Sequence, residues 1–106
     1  MALTREFQET LRARAQHDAA FRSALLSEAA EAILAGEADT ARLVLRDYIN
    51  ATLGFETLAT KTGIPVKSLH RMFGPRGNPT LGKLSSVLKA LETNENISFR
   101  VEITRA

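Results

Sequence analysis

Val66, Lys67, His70 and Arg71 lie within one short stretch, at spacings that would set Lys67, His70 and Arg71 along one flank of a helix. Such a flank can read nucleic-acid bases. Arginine holds the O6 and N7 atoms of guanine with two bonds, worth about 1–3 kcal/mol of discrimination, so Arg71 is the leading base reader. Lys67, four residues earlier, reads a base or a phosphate. Val66 either touches a thymine methyl or is simply an exposed valine. His70 either bonds a base edge or a phosphate, or is a partly exposed structural histidine. A metal role for it is not expected, because His17 is the only other histidine and the chain has no cysteine.

A second set of residues suits the phosphate backbone. Thr57, Ser68, Asn78 and Thr80 carry small polar groups near expected helix starts and turns, where hydroxyls and backbone amides meet anions. Thr57, Asn78 and Thr80 are equally acceptable as plain cap or turn residues. Arg76 and Lys83 are phosphate candidates through charge. The charge distribution favours the same region. The net charge of +2 conceals two unlike halves: residues 1–54 carry six arginines against eight acidic residues, whereas residues 55–106 carry eight basic residues against four acidic ones. Six basic residues and no acid fall between Thr57 and Ala90. A polyanion would be attracted to such a tract.

These side chains need a scaffold, and the segment Phe55–Phe73, FETLATKTGIPVKSLHRMF, has the anatomy of a helix-turn-helix. Ala59 provides the small contact where two helices cross, and Gly63 can take the positive φ of the corner. Leu69 and Met72 would point back to the first helix of the pair. The expected helices are Glu56–Thr62 and Val66–Phe73, with Gly74–Pro79 as a loop by its Gly, Pro and Asn content. Thr80 then caps a helix Leu81–Glu92, with Leu84, Val87, Leu88 and Leu91 inward.

Three helices precede the pair. Thr4 caps a helix to about Gln16, with Leu3, Phe7 and Leu11 at helical spacing. Asp18 caps a second, Ala19–Ala35, striped by Phe21, Leu25, Ala29 and Ile33 and ending at Gly36 as its C′ residue. Asp39 caps a third, Thr40–Leu53, burying Leu45, Ile49 and Leu53 and ending at Gly54. The end of the chain has a different rhythm. In Ile97–Thr104, Ile97, Phe99, Val101 and Ile103 alternate with polar residues, which reads as a one-sided β-strand. With no second strand in sight, pairing with the same strand of another copy is the expected solution, and a strand or loop packed flat on its own helices is the alternative.

Composition narrows the rest. An apolar content of 44% is that of a globular chain. The absence of cysteine fits a reducing cytoplasm. The opening residues lack an unbroken apolar run, so neither a signal peptide nor a membrane span is expected. No HExxH, glycine-rich phosphate loop or triad spacing points to an enzyme, and no cofactor is expected.

The segment GIPVKSLHRMFGPRGNPTLGKLSSVLKALE, followed by ISFRVEI, resembles the addiction-module antidote proteins of the lambda-repressor-like (XRE-type) helix-turn-helix group. The likeness covers about residues 40–103, and its most distinctive piece is the loop PRGNP, Pro75–Pro79. Two positions depart from the usual pattern: Pro65 replaces a Ser or Thr cap, and Gly82 stands where a longer side chain is common. The resemblance implies a small bacterial repressor that binds operator DNA as a homodimer, acts in the cytoplasm on the nucleoid, and in some members neutralises a toxin encoded beside it. The expected architecture is mostly α: an N-terminal helical extension (1–36), a helix-turn-helix domain (37–95) and a C-terminal strand (96–106) pairing across a dimer. A protein-interaction module that sequesters a partner through the acidic N-terminal helices is the alternative.

Overall fold

The computed structural model describes residues 4–105, which form six helices: α1 (Arg5–His17), α2 (Ala19–Leu34), α3 (Ala38–Ala51), α4 (Gly54–Thr62), α5 (Val66–Met72) and α6 (Leu81–Glu95). Local chemistry sets most of their ends. The hydroxyl of Thr4 accepts from the Phe7 amide at 3.1 Å, and the Asp18 carboxylate accepts from the Phe21 amide at 3.0 Å. That second bond holds the Asp18 carboxyl below its usual pKa. Gly36, at φ +78°, closes α2 in a Schellman turn: its own amide reaches Ile33, and the Glu37 amide reaches Ala32. Leu3, expected on the apolar side of α1, lies outside the described residues.

One core joins α2 to α6. Leu26 and Ala29 of α2, Leu45, Tyr48 and Ile49 of α3, Phe55 and Leu58 of α4, Leu69 and Met72 of α5, and Val87 and Leu91 of α6 form a single buried cluster. The α2 stripe is centred differently from expectation. Leu26, Ala29 and Ala32 are buried, whereas Phe21, Leu25 and Ile33 are only half-buried. Helix α3 begins at Ala38, before Asp39, which therefore sits in the first turn and pairs with Arg42 instead of capping. It ends at Ala51; Leu53 is half-buried, and Gly54, at φ +81°, opens α4.

The N-terminal helices are tied to the far end of the chain. Arg22 Nε donates to both carboxylate oxygens of Glu95, at 3.0 and 2.9 Å, and an Arg22 terminal nitrogen donates to the Ala15 carbonyl at 2.7 Å. The Tyr48 hydroxyl donates to Glu95 Oε1 at 2.5 Å. A carboxylate held by a guanidinium and a phenol makes charge-assisted bonds, stronger than neutral ones. Burial and then this anionic neighbour push the Tyr48 pKa up.

The C-terminal strand expected to pair across a dimer is not formed: among the described residues there is no strand, and Ile97, Phe99, Val101 and Ile103 lie in irregular backbone. Helix α6 continues three residues past its expected end and stops at Asn96, at φ +58°, in a second Schellman turn. The chain then lies over its own helices. The Ile97 amide donates to the Glu92 carbonyl at 3.1 Å, and the Phe99 amide to Glu92 Oε2 at 2.6 Å. Ile97 and Phe99 pack on the core, while Val101 and Ile103 are 69% and 91% exposed. Alternation needs only an extended backbone with every second side chain covered, and a helical surface covers the first two here. No helix among the described residues is long and apolar enough to cross a membrane.

Candidate nucleic-acid interface

The corner between α4 and α5 is made by Gly63, in the left-handed region at φ +75°, whose amide donates to the Ala59 carbonyl at 2.8 Å. The Thr62 hydroxyl donates to the Leu58 carbonyl at 2.8 Å and accepts from the Ile64 amide at 3.2 Å. Pro65, at φ −57°, then leads into α5 without a side-chain cap. Leu69 and Met72 are buried, so the opposite flank must face outward, and Lys67, His70 and Arg71 are all exposed there. Val66 and Ser68 are half-buried. His70 has one ring face engaged, since its centroid lies 4.5 Å from that of buried Phe55.

After α5 the chain folds back tightly. Phe73 is buried, the Gly74 amide donates to the Arg71 carbonyl at 3.2 Å, and the Gly77 amide donates to the Gly74 carbonyl at 2.9 Å. Gly77 itself is buried against the end of α5. A methyl group there would collide with the carbonyl groups of Met72 and Arg71, so the close approach demands glycine. The Thr80 hydroxyl caps α6 by accepting from the Lys83 amide at 3.2 Å.

This turn brings distant residues together. A cleft of about 450 Å³ is lined by Ser68, Arg71 and Met72 of α5, Arg76 to Thr80 of the connection, and Lys83 of α6. Six of the sequence-selected polar residues therefore share one concavity: Ser68, Arg71, Arg76, Asn78, Thr80 and Lys83. Three are cationic, none of its lining residues is acidic, and none of the three cations belongs to an ion pair among the described residues. Lys67 and His70 stand on the neighbouring flank of α5, outside the cleft lining, as does Val66. Thr57 is exposed on α4 and also lies outside it.

Sequence reasoning overlooked Gly77 as a determinant of the cleft, although an isolated glycine between Arg76 and Asn78 is a signal of close backbone approach. It also overlooked a second groove, of about 580 Å³, where Lys61 and Thr62 at the end of α4 face Ser85, Ser86 and Lys89 of α6. Lys89 is committed there to Glu92 at 3.5 Å. Both lysines belong to the acid-free tract.

No family model, curated protein or solved structure matches this chain.

Proposed function

We propose that this chain is a sequence-specific DNA-binding transcriptional regulator, a repressor acting as a homodimer on operator DNA in the bacterial cytoplasm. The observation that carries this reading is the acid-free cleft in which Ser68, Arg71, Arg76, Asn78, Thr80 and Lys83 converge beside the exposed flank of α5. Cations bind the phosphate backbone and release counterions, while a short exposed helix presents Arg71 and Lys67 to base edges. Two such helices, related by a two-fold axis, would enter successive major grooves roughly 34–36 Å apart and occlude the promoter. Kinship with the antidote proteins, suggested by residues 40–103, would add a toxin as a second partner.

The test is binding to duplexes from the protein's own upstream region and to a scrambled duplex. Arg71→Ala is expected to equalise the two affinities, and Lys83→Ala to weaken both alike. Wild-type behaviour of both variants on both duplexes would reject the assignment. A second reading, partner capture by the N-terminal helices, is favoured by the exposure of Leu34 beside Glu31 and of Phe7 on α1. Under that reading Leu34→Ser abolishes partner binding and leaves DNA affinity untouched.

A further inference from the structure

The Gly74–Pro79 connection has a cleft on each side. Opposite the cationic one lies an apolar cleft of about 180 Å³, floored by Ala41, Leu45 and Phe73 and flanked by Leu84. Asn78 and Pro79 line both clefts, so the connection is a wall shared between them. An apolar cavity of about 150 Å³ takes one benzene ring, so this one suits a single ring or a branched aliphatic group and is too small for a helix. Its one cationic lining residue is Arg42, whose side chain is only 16% exposed. That guanidinium donates to Asp39, whose carboxylate is 93% exposed, and to the Pro75 carbonyl at 3.4 Å. Both acceptors line a neighbouring groove and engage one terminal nitrogen, which leaves Nε and the other terminal nitrogen of Arg42 without a partner among the described residues.

We propose that this cleft is an effector site for a compact aromatic or branched aliphatic carboxylate, whose apolar body fills the cleft and whose carboxylate meets Arg42. The occupant would contact Asn78 and Pro79 from behind and hold the connection in the shape that presents Arg76 and Asn78. A ligand that favours one conformation of a shared wall raises the affinity of the other side by the same coupling. The effector is therefore a corepressor. That coupling rests on the DNA-binding reading, whereas occupancy of the cleft does not.

Benzoate, toluene and benzylamine are the probes, titrated into the full chain and followed by NMR. Benzoate is expected to shift the Ala41 and Leu45 methyl signals saturably. Toluene should do so more weakly, and benzylamine not at all. Arg42→Gln should weaken benzoate about tenfold while leaving toluene unchanged. Ala38→Trp, at an exposed position on the lining, should block both. Benzoate shifts confined to Arg71, Arg76 and Lys83, or toluene binding as tightly as benzoate, would overturn the assignment. So would methyl shifts that follow protein concentration without any probe, because a second copy would then fill the cleft. Saturating benzoate should tighten operator binding about fivefold or more, and unchanged or weakened binding would overturn the corepressor role. If the chain binds no DNA under any condition, the DNA reading fails while the methyl shifts still decide the site.

Discussion

Replacing Arg76 and Lys83 together by alanine should flatten the salt dependence of DNA binding. Both side chains are exposed, line the cationic cleft and make no ion pair or side-chain hydrogen bond among the described residues, so their loss should spare the fold. Surface changes of this kind stay within about 0.5 kcal/mol of wild type. Each phosphate contact contributes about 0.9 to the slope of log affinity against log salt, so the double variant should lose about 1.8. Over a fourfold rise in salt, from about 50 to 200 mM, wild type would then weaken about 12-fold more than the variant. Fluorescence anisotropy on a labelled duplex at several salt concentrations measures both slopes. Melting curves run alongside confirm that the variant is folded. A folded variant with the wild-type slope would refute the placement of phosphates in this cleft, whatever its affinity at one salt concentration.

The other predictions concern the scaffold. Tyr48→Phe removes a bond to a nearly buried carboxylate and should cost about 1.5–3 kcal/mol in neutral urea titrations. Because the folded-state pKa of Tyr48 is raised, its stabilising contribution is complete below the unfolded value of about 10 and is lost as pH climbs towards the folded value. The variant should therefore show a flatter alkaline limb than wild type. Burial raises the Asp47 pKa against the opposing pull of Arg46, so its charged form opposes folding above the unfolded carboxylate value. Asp47→Asn should raise the melting temperature at pH 7, with the gain vanishing near pH 3. Gly77→Ala should displace the connection after α5 and lower both stability and DNA affinity, with the crystal structure of the variant showing the shift. Leu26→Ala should cost about 2–5 kcal/mol, as expected for a buried leucine in a core shared by α2 and the helix pair.

What was legible in the chain was local. Thr4, Asp18 and Thr80 cap helices because a short side-chain oxygen three residues before an amide needs nothing from elsewhere in the molecule. Gly36 and Gly63 end helices by the same local logic, each at positive φ. The exposed flank of α5 followed from the spacing of Leu69 and Met72. Errors arose where tertiary context decided. Asp39 had a nearby alternative in Arg42, and Leu26 displaced the expected stripe of α2 by one position because α3 meets that side. The alternation of Ile97–Thr104 was real, yet Glu92 captured the Phe99 amide, and a helical surface covered Ile97 and Phe99. Nothing periodic announces Arg22, Tyr48 and Glu95 as partners, since their meeting depends on the whole path of the chain.

Arg22 and Glu95 are 73 residues apart in the chain. Closing so long a loop costs entropy before any bond repays it, and the cost is met only once α6 has wound to its last turn. During synthesis the Arg22 guanidinium must therefore stay without this partner until Glu95 has left the ribosome. A nascent chain halted before Glu95 would lack this clasp, and both Arg22 and the Tyr48 hydroxyl would be left without their carboxylate.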